Sequence, residues 1–360
     1  MARPRAVLAT LAFIGLSACT PAETGRIPDF EWEGEWVTIW GFETAVDETC
    51  AGTLPYLDDY AGFLANEFGL NHHLGVYRWY SKELFTELEP CGRPINGCAG
   101  LNGIFTNVMP IEHEIVHLVN DQVVLCPLFL AEGLAEYYGT TSSTPRSRDL
   151  SEILADPGAT VFSSRNYPLA GAFTAFLVES HGLDALLEVC ERSGFTPTPD
   201  EFDEAVEATL GVSTSDLVEQ FASFDCTYLE YRSKQYECGR SPSIVIGDEP
   251  VELNVTLSCA DERTIGPRKS EIWTNNVVQV LEDGVYYIAL ESETGMNTED
   301  EIGLELVRCT NCTDSPRTYT YNLSIVPFFD LIQLEAGAYT FKVWGAPNVS
   351  QSLTLRLRLT

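Results

Sequence analysis

The spacing of apolar residues changes character twice along the chain. "EWVTIWGF" (35–42) and "HLGVYRWY" (73–80) are dense in aromatic and branched residues, which predicts strands, and "LPYLDDYAGFLANEF" (54–68) between them repeats its apolar positions at helical spacing. A shorter strand is predicted over "GIFTNV" (103–108). After residue 127 the helical period dominates, through "PLFLAEGLAEYY", "AGAFTAFLVESHG", "LDALLEVCERSG", "PDEFDEAVEATLG" and "STSDLVEQFAS", the last opened by a Ser or Thr suited to capping it. Strands first and helices later is an α+β order, expected over residues 31–240. Beyond "CGRSPSIVIGDEP" only short alternating runs remain, among them "VELNVTLS", "GVYYIALES", "IGLELVRC", "AYTFKVWG" and "SLTLRLRLT", divided by Gly, Pro, Asn and Asp. Residues 241–360 are therefore expected to form an all-β sandwich.

The start of the chain reads differently. Arg3 and Arg5 precede an apolar run, Ala6 to Leu16, that is too short to span a bilayer, and small residues then lead to Cys19. This is the pattern of a cleaved export signal. Leu16-Ser17-Ala18-Cys19 resembles the bacterial lipobox, which implies a signal peptide over 1–18, a lipid on Cys19 and a polar tether over 19–30. Thr20 after the Cys implies the outer membrane; a plain signal peptide, with Cys19 in a disulfide, is the alternative.

With Cys19 set aside, the other ten cysteines are an even set suited to disulfides in an oxidising compartment, and Cys91 and Cys98 are near enough to close a local loop. "CTNC" (309–312) lacks a second CxxC, so it too reads as disulfide chemistry. The net charge of −32 repels nucleic acid and anionic head groups, which leaves the lipid as membrane anchor and gives no nucleic-acid partner. The acidic stretch "TGMNTEDEIG" (294–303) lacks the ligand spacing of a calcium loop and reads as solvated surface.

Candidate chemistry concentrates in "MPIEHEIVHLVND" (109–121), which holds two of the five histidines. His113 and His117 are four apart, so a helix sets them one turn apart on one face, where both imidazoles can converge on one ion. Ile111, Ile115, Leu118 and Val119 fall on roughly the opposite side, and Pro110 suits the first helical turn. Glu114 points beside the ion, where a carboxylate can take a proton from water held there. A catalytic zinc needs a third protein ligand, and "PLFLAEGLAEYYG" offers Glu132 and Glu136, again four apart. His72, His73 and His181 read as surface or capping residues, and Tyr137 and Tyr138 as core. No GxSxG and no Gly-rich phosphate loop supports a serine hydrolase or a nucleotide enzyme.

"HEIVH" followed by "FLAEGLAEYY" resembles the gluzincins, the HExxH metallopeptidases whose third zinc ligand is a Glu on the next helix. The resemblance spans roughly residues 35–225 and implies a zincin-like metallopeptidase domain ahead of the sandwich. Glu132, in "AEG", matches the family context and is preferred, with the conformationally permissive Gly133 after it. Glu136 has its own claim, because its distance from His117 matches the aminopeptidase group; otherwise it becomes an acid that orients a ligand histidine. The resemblance further implies Zn²⁺ held by His113, His117 and Glu132, Glu114 as the base, and "GIFTNV" as an edge strand that pairs with an extended substrate. "NYPLAGAFTAFLVESHG" (166–182) is similar to a helix of peptidase MA-like lipoproteins, and its Tyr167 is the candidate for stabilising the oxyanion. The "GAMEN" signature of aminopeptidases is absent. The implied function is therefore zinc-dependent cleavage within peptide or protein chains by a lipid-anchored exported protein; the alternative is an inactive zincin-like binding or adhesion lipoprotein.

Overall fold

The computed structural model describes residues 26–92, 95–100, 103–139, 149–224, 235–239, 244–247, 249–268, 270–292, 302–309, 318–323, 328–348 and 350–360. The export signal, Cys19 and most of the acidic stretch at 294–303 lie outside the described residues.

The first sheet is built from β1 (Phe30–Glu33), β2 (Val37–Phe42), β3 (Gly75–Tyr80), β4 (Gly97–Gly100) and β5 (Gly103–Thr106), in the order β1-β2-β3-β5-β4. Its central pairs, β2 with β3 and β3 with β5, are parallel, while β1 and β4 run antiparallel on the two edges. A parallel pair needs a crossover. Helix α1 (Thr53–Glu67) supplies the one between β2 and β3, and α2 (Lys82–Leu88) follows β3. α1 buries Leu57, Tyr60, Ala61 and Leu64, and its Asp58 carboxylate turns back to accept hydrogen bonds from the N–H groups of Glu35, Trp36 and Val37 at 2.9, 2.8 and 2.9 Å. That acceptor fixes the entry into β2.

The helical part comprises α3 (Glu112–Val123), α4 (Leu128–Tyr138), α5 (Ser151–Leu154), α6 (Tyr167–His181), α7 (Leu183–Ser193), α8 (Pro199–Leu210) and α9 (Thr214–Ser223). The predicted cap of α9 is Ser213, which accepts from the Asp216 N–H, and Thr198 with Glu201 forms the same reciprocal box on α8. A short α10 (Gln235–Gly239) then leads into the strands.

Among the described residues ten strands follow: β6 (Ile244–Ile246), β7 (Val251–Leu257), β8 (Ile265–Arg268), β9 (Glu271–Val280), β10 (Gly284–Ser292), β11 (Ile302–Arg308), β12 (Thr318–Leu323), β13 (Phe328–Leu334), β14 (Gly337–Gly345) and β15 (Gln351–Leu359). They form a sheet ordered β13-β10-β15-β7 and a second ordered β12-β11-β14-β9-β6, with β8 also paired to β9. Tyr286, Ile288, Leu355, Leu304, Phe341 and Val343 from both sheets close one apolar core.

This architecture corrects the expected fold class. An α+β zincin-like domain followed by an all-β sandwich is not what the chain forms: it is a mixed α/β structure with three sheets, the first of which interleaves parallel strands with a helix. The spacing of the early strands was readable, but their direction was not, because period-2 alternation is the same in parallel and antiparallel pairs. The halves are also joined closely. Ile265 and Trp273 are buried in the core of the helical half, and a disulfide links Cys50 to Cys259.

Asp58→Ala should lower unfolding stability by about 3 kcal/mol, since three N–H groups lose their acceptor. Asp58→Asn, which keeps the oxygen that serves Trp36 and Val37, should lose less; urea denaturation of both variants checks the order.

Candidate metal centre

Helix α3 begins at Glu112, with Ile111 as its cap residue and Pro110 ahead of it. Ile115, Val116, Leu118 and Val119 are buried against the core. Ile111 is only partly buried, packing against the same core while also lining the cleft. The histidine face is left toward that cleft, with the His113 and His117 side chains 16% and 15% exposed.

Helix α4 brings Glu132 to the same point. Its Oε2 lies 3.3 Å from His113 Nε2 and 3.4 Å from His117 Nε2, and the two Nε2 atoms are 3.2 Å apart. A tetrahedral ion with ligand distances of about 2.0–2.1 Å has ligands about 3.3–3.4 Å apart, so this near-equilateral triangle has the dimensions of three corners of such a site. Two imidazoles and a carboxylate are a donor set that would suit a catalytic zinc, and all three side chains line the cleft. Among the described residues this is the group of three acid, His or Cys side chains that could hold a metal.

His113 is supported from behind. Glu136 Oε1 lies 3.7 Å from His113 Nδ1, an ion-pair distance on the ring nitrogen that faces away from the triangle. Tyr167 opens α6 and stacks on His113 with centroids 6.0 Å apart and planes 8° apart, and Phe162 stacks on its far side. Glu114 is buried beside the cleft; Gly97 of β4 lies against it, where an added Cβ would sit 3.2 Å from Glu114 Cγ. The structure thus brings together His113, Glu114, His117, Glu132, Glu136 and Tyr167. His72 and His73 lie elsewhere, against Gln122 and Thr38, and Tyr137 and Tyr138 are core residues.

Burial opposes charge on His117, but the negative charge and hydrogen bond of Glu132, helped by Glu114 and Asp121, outweigh it and hold the ring at about 9. Burial likewise opposes charge on Glu132, yet the two imidazoles hold its carboxyl well below the usual carboxylate range. Asp121, one turn beyond His117 in the cleft wall, is raised by burial.

The cleft has a volume of about 610 Å³. One wall is β4, and the other carries Leu125, Leu128, Ala131, Phe162 and Phe195. Disulfides pin both walls: Cys91–Cys98 holds β4, and Cys126–Cys190 ties the α3–α4 connection to α7. Cys309 pairs with Cys238, so "CTNC" reads as disulfide chemistry at its first Cys; Cys226 and Cys312 lie outside the described residues.

Two expectations need correction. "GIFTNV" is not an edge strand: β5 is paired on both sides, by β3 and β4, and the free edge beside the cleft is β4, whose "GCAG" carries too little hydrophobic pattern to announce itself. Gly133 is not needed for backbone freedom, because it sits inside α4. It is needed for room, since a Cβ there would lie 2.2 Å from Thr174 Oγ1 and 2.7 Å from the Ala170 carbonyl oxygen on α6. Sequence reasoning also missed Glu112, whose partners Tyr56 and Arg268 come from distant segments.

No family model matches the chain, and no curated protein matches it. Among solved structures, the pre-peptidase C-terminal domain of collagenase from Bacillus anthracis is 11% identical with a TM-score of 0.24, covering 33% of this chain and 99% of that one. The Yersinia pseudotuberculosis-derived mitogen is 13% identical with a TM-score of 0.22, over 31% of this chain and 87% of its own. A carbohydrate-binding module from Cellvibrio mixtus lichenase 5A, in complex with cellotriose, is 15% identical with a TM-score of 0.18, over 30% and 87%. Likeness at these TM-scores carries no argument about function, which rests on the site itself.

Gly133→Ala should destabilise the protein by about 1–3 kcal/mol through overpacking between α4 and α6, more than the roughly 1 kcal/mol gained in helix propensity. A lower melting temperature checks this, and an unchanged one would remove the packing explanation.

Proposed function

We propose that the protein is a zinc-dependent hydrolase that cleaves peptide bonds within chains. The observation that carries this reading is the triangle of His113 Nε2, His117 Nε2 and Glu132 Oε2, with edges of 3.2–3.4 Å and a buried carboxylate, Glu114, beside its open corner.

His113, His117 and Glu132 would hold the ion, which when bound acidifies water and polarises a carbonyl. Glu114 takes the proton from the attacking water and returns it to the leaving amine. Tyr167, held parallel to His113, is the proposed donor to the developing oxyanion. An extended peptide would add to the free edge of β4 by backbone hydrogen bonds and lay side chains against Leu125, Leu128 and Phe195. The lack of the aminopeptidase signature "GAMEN" is in keeping with cleavage inside a chain. Four disulfides among the described residues support an exported protein, and Cys19 is the proposed lipid anchor, directed to the bacterial outer membrane. Among the described residues no helix is long and apolar enough to cross a membrane.

The full chain should bind one zinc ion and cleave an unfolded protein, and Glu114→Gln should keep the zinc while losing about 10²–10⁴-fold in rate. Bound zinc without cleavage of any substrate by the wild type would favour a binding role instead, and absence of bound zinc would end the hydrolase reading.

Zinc uptake should also depend on pH in a defined direction. Below about 9 the His117 ring carries a proton that the ion must displace. Apparent affinity should therefore rise about tenfold per pH unit through neutral pH and level off near 9. Calorimetry in buffers of different ionisation enthalpy should report about one proton released per ion at pH 7.

A further inference from the structure

We infer that Arg268, supplied by the strand-rich half of the chain, is a positioning residue for the zinc-binding helix. The inference rests on the reading above only in taking zinc as the ligand of the three side chains.

Glu112 is the first residue of α3 and immediately precedes His113, yet it is only 1% exposed. A buried carboxylate needs compensation. Its Oε2 accepts a hydrogen bond from Arg268 Nη1 at 2.8 Å, and its Oε1 accepts one from the Tyr56 hydroxyl at 3.0 Å. The cap residue Ile111 makes no side-chain capping bond, and the Glu112–Arg268 pair is a charged tie from the first residue of α3 to a distant segment. Arg268 ends β8, and the backbone leading to it is fixed on α1: the Thr53 hydroxyl donates to Gly266 O at 2.8 Å and accepts from Gly266 N at 3.0 Å, and Cys50 N–H donates to Gly266 O at 2.7 Å. The nearby Cys50–Cys259 disulfide adds a covalent tie. Arg268 therefore reaches Glu112 from a held segment and not from a loose loop.

The consequence falls on His113. Its Nε2 belongs to a triangle whose edges agree within 0.2 Å, from 3.2 to 3.4 Å, and a shift of the first turn moves that corner while leaving His117, one turn further on, in place. Losing Arg268 leaves a buried anion at the start of the helix, which relaxes by moving toward water. The strand-rich half is then part of the frame of the metal site, beyond whatever it binds itself.

The test compares three variants of the full chain by zinc affinity, using chelator competition, and by the visible spectrum of the cobalt(II)-loaded protein, which reports ligand geometry without requiring activity. Arg268→Gln should weaken zinc binding about 10- to 100-fold and alter the cobalt spectrum, as loss of a supporting partner does at other metal sites. Arg268→Lys should restore most of the affinity. Thr53→Val, which loosens the same segment but keeps the Arg268–Glu112 ion pair, should lower the melting temperature and weaken zinc binding far less than Arg268→Gln does. Should Arg268→Gln fail to fold, the double variant Arg268→Met/Glu112→Met removes both buried charges and should fold, still binding zinc more weakly than wild type. Wild-type affinity and spectrum in the Arg268 variants, or an equal loss in Thr53→Val, would overturn the positioning role while leaving the zinc site intact. A wild-type chain that binds no zinc would overturn both.

Discussion

Burial of negative charge is the constraint around which the helical half is organised. Glu112, Glu114, Glu132 and Glu136 are all buried, within a chain whose net charge is −32. Carboxylates in such a place must each find a cation, a strong donor or a proton. Glu112 has a guanidinium and a phenol, Glu132 has two imidazoles, and Glu136 has the other side of one of them. The elevation of His117 to about 9 expresses the same need, since the Glu132 carboxylate, with Glu114 and Asp121 beside it, favours the charged ring despite its burial. A divalent ion at the open triangle would satisfy that need more fully than a proton does.

Packing makes the convergence possible. α4 approaches α6 so closely that Gly133 leaves no space for a methyl group, and that approach sets the depth at which Glu132 projects toward α3. The opposite wall is equally constrained, because Gly97 leaves the Glu114 side chain its room and Cys98 ties the same strand to Cys91. The cleft is thus bounded by elements that two disulfides and close helix contacts keep from drifting, as a site with sub-ångström tolerances requires.

Local chemistry was legible in the sequence, and long-range partnership was not. His113, Glu114, His117, Glu132 and Glu136 announce themselves because helical periodicity converts a spacing of four into a shared face. Tyr167 was reachable only through the family resemblance of its helix, and the structure sets it against His113. The strand directions in the first sheet, and hence the fold class, could not be read, because parallel and antiparallel strands share one periodicity. β9 escaped notice because Thr274, Asn275 and Asn276 interrupt its apolar alternation; Asn275 is spent on a hydrogen bond to Glu237 of α10, a contact with no sequence trace. Arg268 is invisible for the same reason, being one arginine among several until the fold carries it to Glu112.

The Glu112–Arg268 pairing spans 156 residues of sequence. During synthesis the two histidines therefore leave the ribosome well before the guanidinium that steadies their helix exists. Chain order itself delays completion of the centre until nearly three quarters of the polypeptide has been made, so a newly emerging chain carries the ligands without the finished cage.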